Sequence, residues 1–226
     1  MKKTTLKKSI SKKTLPLPKA KALANKNTSF YIVGIGASAG GLEALKIFFN
    51  NTPPTCGMAF VVVQHLDPTR KSLLTELLAE CTKMKVKEVA DGILVLPDCI
   101  YIIPPNKELE IFKGHLQLFS PTKKRGSRRP IDSFFHSLAI DQKEKAIGIV
   151  LSGTGSDGSI GLKEIKAAGG KTFVQEPKSA LFRGMPESAI SGKVADHILP
   201  PEKMPAQLQR FSEIIRKKTE ETPLKF

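Results

Sequence analysis

"FYIVGIGASAGGLEAL", residues 30–45, opens as a continuous apolar run, breaks into glycine and alanine around one serine, then resumes at helical spacing. An apolar run without alternation suits a strand buried on both faces of a parallel sheet. Leu42, Leu45 and Phe49 then fall on one helical face. Strand, glycine turn and helix in that order begin a βαβ unit, so this stretch sets the fold class. The rhythm recurs along the chain. "MAFVVVQH" (58–65), "KAIGIVLSG" (145–153), "GKTFVQ" (170–175) and "ADHILP" (195–200) read as further strands. The segments 67–82, 130–142, 162–169, 184–191 and 201–216 read as helices, with Pro130 at a favoured first-turn position. "CIYIIPP" (99–105), "NKELEIF" (106–112) and "HLQLF" (115–119) are short strand-like pieces, the last two joined at Lys113-Gly114, and imply an antiparallel excursion. The expectation is an α/β fold: a Rossmann-like, doubly wound, mostly parallel sheet with an inserted antiparallel hairpin.

Charge is unevenly placed. The chain of 226 residues carries a net +15. Nine lysines and no acid lie in residues 1–30, and Lys123, Lys124, Arg125, Arg128 and Arg129 form a second cluster, which leaves a nearly neutral body. The predicted organisation is a disordered Lys-rich arm over 1–28, a folded α/β domain over 29–217 and a C-terminal tail over 218–226. The arm has no uninterrupted apolar core of a secretory signal, and no stretch has the length of a membrane helix, so a cytoplasmic protein is expected. A solvated arm is favoured over stable nucleic-acid binding. Cys56, Cys81 and Cys99 are odd in number and widely spaced, which fits neither a disulfide framework nor a zinc site.

Three predicted strands end near reactive side chains: Ser38 after the first, His65 at the second, Asp157 after "KAIGIVLSG". A serine hydroxyl is a weak nucleophile until an imidazole takes its proton, and a carboxylate must orient and stabilise that imidazole. Gly36-Ala37-Ser38-Ala39-Gly40 fits G-x-S-x-G, which holds a serine out at a strand-to-helix turn. The same window, from Gly34 to Ala39, also fits the dinucleotide pattern G-x-G-x-x-G/A. That pattern needs an acidic residue closing the second strand, where Gln64 and His65 stand instead. Each residue also has a plain structural reading: Ser38 or Asp157 as a helix cap, His65 as an interior histidine. Their occurrence together at three strand ends, two of them on glycine-rich turns, favours a triad. The arrangement calls for no metal and no cofactor.

"GIGASAGGLEAL", "VVVQHLDP", "RRPIDSFFHSLA", "IGIVLSGTGSDGSIGLKEIKAAGG" and "GMPESAI" together, in order, resemble the catalytic domain of the chemotaxis protein-glutamate methylesterases, the CheB-type domain. The resemblance implies hydrolysis of γ-glutamyl methyl esters on methyl-accepting chemotaxis receptors, with deamidation of receptor glutamines in many members. It places the family triad on Ser38, His65 and Asp157 and the backbone oxyanion donor at Thr154, where relatives often carry methionine. Because receptor methylation segments are acidic, Arg125, Arg128 and Arg129 are candidate substrate-binding residues. Family members usually carry an amino-terminal receiver domain; here a lysine-rich arm precedes the domain, so an open site or a separate regulatory partner is expected. A non-catalytic signalling module of the same fold and a nucleotide-binding protein are the alternatives.

Overall fold

The computed structural model describes residues 30–64, 73–121 and 128–220. The predicted arm, His65 and Arg125 lie outside the described residues. Strand β1 (Ile32–Ala37) is buried at every position and leads through Ser38–Gly40 into α1 (Gly41–Asn50). Next come β2 (Ala59–Gln64), α2 (Leu74–Ala79), β3 (Lys85–Glu88), β4 (Ile93–Leu94) and β5 (Cys99–Ile102). The hairpin β6 (Glu108–Phe112) and β7 (His115–Phe119) follows, then α3 (Pro130–Gln142), β8 (Ala146–Val150), α4 (Ser159–Ala167), β9 (Lys171–Gln175), α5 (Gly184–Ser191), β10 (His197–Leu199) and α6 (Met204–Glu220).

Seven strands form one parallel sheet in the order β10-β9-β8-β1-β2-β5-β3, and β4-β7-β6 form a small antiparallel sheet. The chain winds outward from β1 through β2 to one edge, then returns to lay β8 on the other flank of β1. That reversal puts a crevice between β1 and β8 at their carboxyl ends, where doubly wound sheets bind ligands. Side chains alternate across the sheet. Val33 and Ile35 of β1 pack with Leu45, Phe48 and Phe49 of α1 and with Met204 and Leu208 of α6. Ile32 faces the other cluster, with Ile131, Phe134 and Phe135 of α3 and Leu162 of α4.

The structure refines the sequence reading at the strand-like piece 99–105: its core, β5, joins the parallel sheet, and the excursion is confined to β4, β6 and β7. Strands β3 and β4 went unread because one is a charged edge strand (Lys85-Val86-Lys87-Glu88) and the other has two residues. Cys56 is buried, and burial pushes its thiol up to about 11, which keeps it protonated and unreactive at neutral pH. Among the described residues no helix is long and apolar enough to cross a membrane.

The glycines of β1 have a packing reason. A Cβ on Gly36 would stand 2.4 Å from Cγ2 of Ile131, and one on Gly34 would stand 2.9 Å from the Phe135 ring. Both glycines let α3 lie directly on the sheet. Gly36→Ala is expected to cost about 1–3 kcal/mol through overpacking, read from the urea unfolding midpoint.

Candidate active site

Gly40, in the left-handed region at φ 68°, is the N-cap of α1, and no side chain caps that helix. Ser38 therefore does not serve as its side-chain cap. Instead its backbone is fixed on both sides: the Ser38 N–H donates to the Ser152 carbonyl at 3.0 Å, and the Ser38 carbonyl accepts from Gly41 at 2.9 Å. The first of these bonds ties the turn after β1 to the segment leaving β8.

That segment is braced from behind. The Ser152 hydroxyl donates to the Ala39 carbonyl at 2.9 Å and accepts from the Phe182 N–H at 3.0 Å. The Ser152 N–H donates to Gln175 Oε1 at 2.8 Å, and Met185 N–H donates to the Gly153 carbonyl at 2.9 Å. Gly153 leaves no room for a side chain, since a Cβ there would lie 2.1 Å from Met185 Sδ and 2.9 Å from Ser38 Cβ. Ser38 thus rests against the residue preceding Thr154. Among the described residues the Thr154 N–H has no hydrogen-bond acceptor, and Thr154, Gly155 and Ser156 are exposed. Gly153→Ala is expected to shift Ser38 and the Thr154 amide apart and lower any turnover at this site by about 10²-fold, because misplacement by an ångström is enough. Initial rates on folded protein check it.

Asp157, 6% exposed and one residue before the N-cap of α4, turns its carboxylate to the start of α3. Pro130 has no N–H, and the next two N–H groups, of Ile131 and Asp132, donate to Asp157 Oδ2 at 3.1 Å and Oδ1 at 3.0 Å. Gly158 N–H adds a third bond, to Oδ1 at 2.9 Å. The arrangement is reciprocal. Asp132, inside the first turn of α3, accepts the Gly161 N–H of α4 on Oδ1 at 2.8 Å. Two buried carboxylates are held between two helix N-termini, whose partial positive charge favours them. Burial above all, with the Asp157 charge adding, pushes the Asp132 carboxyl above the ordinary aspartate range, against the Gly161 N–H and Arg129, which pull it down.

Arg129 closes this cluster. Its Nε donates to Asp132 Oδ2 at 2.5 Å and its Nη2 to the Ser156 carbonyl at 2.7 Å. Arg128 donates to Asn106 Oδ1 at 2.9 Å, across to the turn before β6. His65 directly follows Gln64, whose Cα pairs with that of Ala37 in the register of β1 and β2. The structure therefore brings Ser38, Thr154, Asp157 and Arg129 around the β1–β8 crevice. Sequence reasoning missed Gly153, Met185, Gln175 and Asp132, whose partners are remote in the chain; the only sequence trace of Asp132 is an acid in a helix's first turn. A groove of about 790 Å³ lies elsewhere, between the hairpin and the last turns of α3, lined by Phe112, Lys113, His136 and Ile140 among others. It holds none of the predicted residues. Among the described residues no group of three His, Cys, Asp or Glu is placed to hold a metal.

The CheB methylesterase family profile matches residues 33–208. The chain belongs to the CheB methylesterase family. A Leptospira interrogans (serovar copenhageni) protein named "Putative protein-glutamate methylesterase/protein-glutamine glutaminase" is 34% identical over 177 residues, covering 78% of this chain and 92% of that one. A second protein of the same strain, named protein-glutamate methylesterase/protein-glutamine glutaminase 3, is 32% identical over 189 residues, covering 82% of this chain but 54% of its own length. This CheB-family chain thus spans most of one relative and about half of the other. The crystal structure of the Thermotoga maritima CheB methylesterase catalytic domain superposes with a TM-score of 0.74 at 32% identity, covering 80% of this chain and 98% of that one. The parallel sheet with its small antiparallel companion is the CheB catalytic fold.

Proposed function

We propose that this chain hydrolyses γ-glutamyl methyl esters of chemoreceptors through Ser38, His65 and Asp157, and deamidates receptor glutamines by the same route. The observation that carries the reading is the closeness of Ser38 to Gly153, the residue before Thr154 in the segment that runs on to Asp157. His65 takes the Ser38 proton as Oγ bonds to the ester carbonyl carbon, and the carbonyl π electrons move to oxygen. The Thr154 N–H stabilises that oxyanion. The carbonyl then re-forms, the C–OCH₃ bond breaks, and His65 delivers the proton to the departing methoxide as methanol. Water, deprotonated by His65, attacks the acyl-enzyme and releases glutamate and Ser38.

Asp157 fits its role by being held in place. Three backbone N–H groups, of Ile131, Asp132 and Gly158, bond to its carboxylate, and to the same carboxylate we assign the His65 ring N–H. A rigidly held carboxylate fixes the imidazole tautomer and stabilises the imidazolium. The packing of Gly34 and Gly36 against α3 supports this reading over nucleotide binding, since those glycines admit a helix. Release of methanol from purified methylated chemoreceptor tests the proposal; a folded wild-type chain that releases none contradicts it.

A further inference from the structure

We infer that Arg129 is a positioning residue of the esterase site, locking the Thr154–Asp157 turn onto the N-terminus of α3, and not a residue that steers substrate. The inference rests on the triad reading above. Placed in a basic stretch, Arg129 looks by sequence like part of an electrostatic landing surface. Its guanidinium, though partly exposed, is held by acceptors of this chain. One edge grips Asp132 Oδ2 at 2.5 Å, another grips the Ser156 carbonyl at 2.7 Å, and Nη2 also reaches Ser156 Oγ at 3.3 Å. The side chain is 42% exposed, and Nε stands 3.9 Å from Asp157 Oδ1.

These contacts close a ring. Arg129 binds Asp132 and Ser156; Ser156 precedes Asp157; Asp157 accepts the Asp132 N–H at 3.0 Å. Asp132 in turn anchors Gly161 of α4. Two carboxylates, 6% and 8% exposed, share the ring, and Arg129 is the full positive charge placed against both of them among the described residues. Like charges so buried need a counter-charge to remain ionised together. The held carbonyl matters for geometry as well. Thr154, Gly155 and Ser156 are exposed, and Gly155 sits at φ 81°. Among the described residues the backbone's own hold on the Ser156 carbonyl is one long bond, from the Ser159 N–H at 3.3 Å. By holding Ser156, Arg129 restrains the amide two residues before it, the assigned oxyanion donor, and the carboxylate one residue after it. A planar fork can hold two acceptors at set angles, which a lysine ammonium cannot reproduce.

The test compares wild type, Arg129→Gln and Arg129→Lys in the full chain. Two readouts are taken: kcat and KM for methanol release from methylated chemoreceptor, and the second-order rate of Ser38 labelling by a small uncharged fluorophosphonate. Loss of positioning lowers kcat and the labelling rate together by about 10- to 100-fold, leaves KM within about twofold, and is only slightly recovered by lysine. A raised, salt-sensitive KM with an unchanged labelling rate would overturn the inference in favour of steering, and so would variants indistinguishable from wild type. If the glutamine variant does not fold, the lysine variant carries the test, because it keeps the charge while losing the fork. Wild-type protein that neither labels nor turns over defeats the esterase reading itself; labelled wild type with an equally labelled Arg129→Gln defeats this inference alone.

Discussion

Ser38→Ala protein is expected to release methanol from methylated chemoreceptor about 10⁵- to 10⁶-fold more slowly than wild type, with an unchanged urea midpoint. The size follows from the chemistry: without Oγ there is no acyl-enzyme, and only binding and the oxyanion donor remain to assist direct attack by water. The unchanged stability follows from the structure. The backbone bonds of Ser38, from its N–H to Ser152 and to its carbonyl from Gly41, are available in either variant. Alanine keeps both bonds, and α1 has no side-chain cap to lose. Turnover and denaturation measured on one preparation separate the two effects. Residual turnover above one-thousandth of wild type would place the nucleophile elsewhere.

Asp157→Asn is expected to damage both activity and stability. Turnover should fall about 10⁴-fold, because an amide in place of the carboxylate stabilises the wrong imidazole tautomer and no imidazolium. Stability should fall by about 1–3 kcal/mol. The asparagine oxygen can keep the Asp132 and Gly158 N–H bonds made by Oδ1, but its NH₂ group then faces the Ile131 N–H, a donor against a donor. The negative charge at the α3 N-terminus is lost as well, which costs up to about 2 kcal/mol in a partly buried site. Relief of the repulsion with Asp132 offsets part of this. Chemical denaturation together with initial rates checks the pair. A variant that is destabilised but fully active would reduce Asp157 to the cap of α3.

How much of this could be read from the sequence depended on how local each cause was. The strand–turn–helix at residues 30–50 and the Pro130 helix start were legible because the apolar period and the proline act within a few residues. The parallel sheet followed from the uninterrupted apolar strands. The two meanings of Gly34 and Gly36 could not be separated locally. What distinguishes them is Ile131 and Phe135, roughly a hundred residues on, lying where a Cβ would be. The same holds for Asp157. Its nearest helix by sequence is α4, yet the helix it caps is α3, and Asp132 of α3 returns the bond to α4. An exchange of caps between two helices exists only once both have packed on the sheet. Arg129 went the same way: its sequence neighbourhood is basic, and its contacts are with Asp132 and Ser156. Composition describes where charges lie along the chain, whereas the fold decides which groups each of them meets.

The most direct test of the account is intact mass after treatment with a small fluorophosphonate, wild type beside Ser38→Ala. The account predicts a single adduct on wild type and none on the variant, since only a serine whose proton has a base to receive it reacts readily with such a reagent. No adduct on folded wild type, or an adduct that persists in Ser38→Ala, would contradict it.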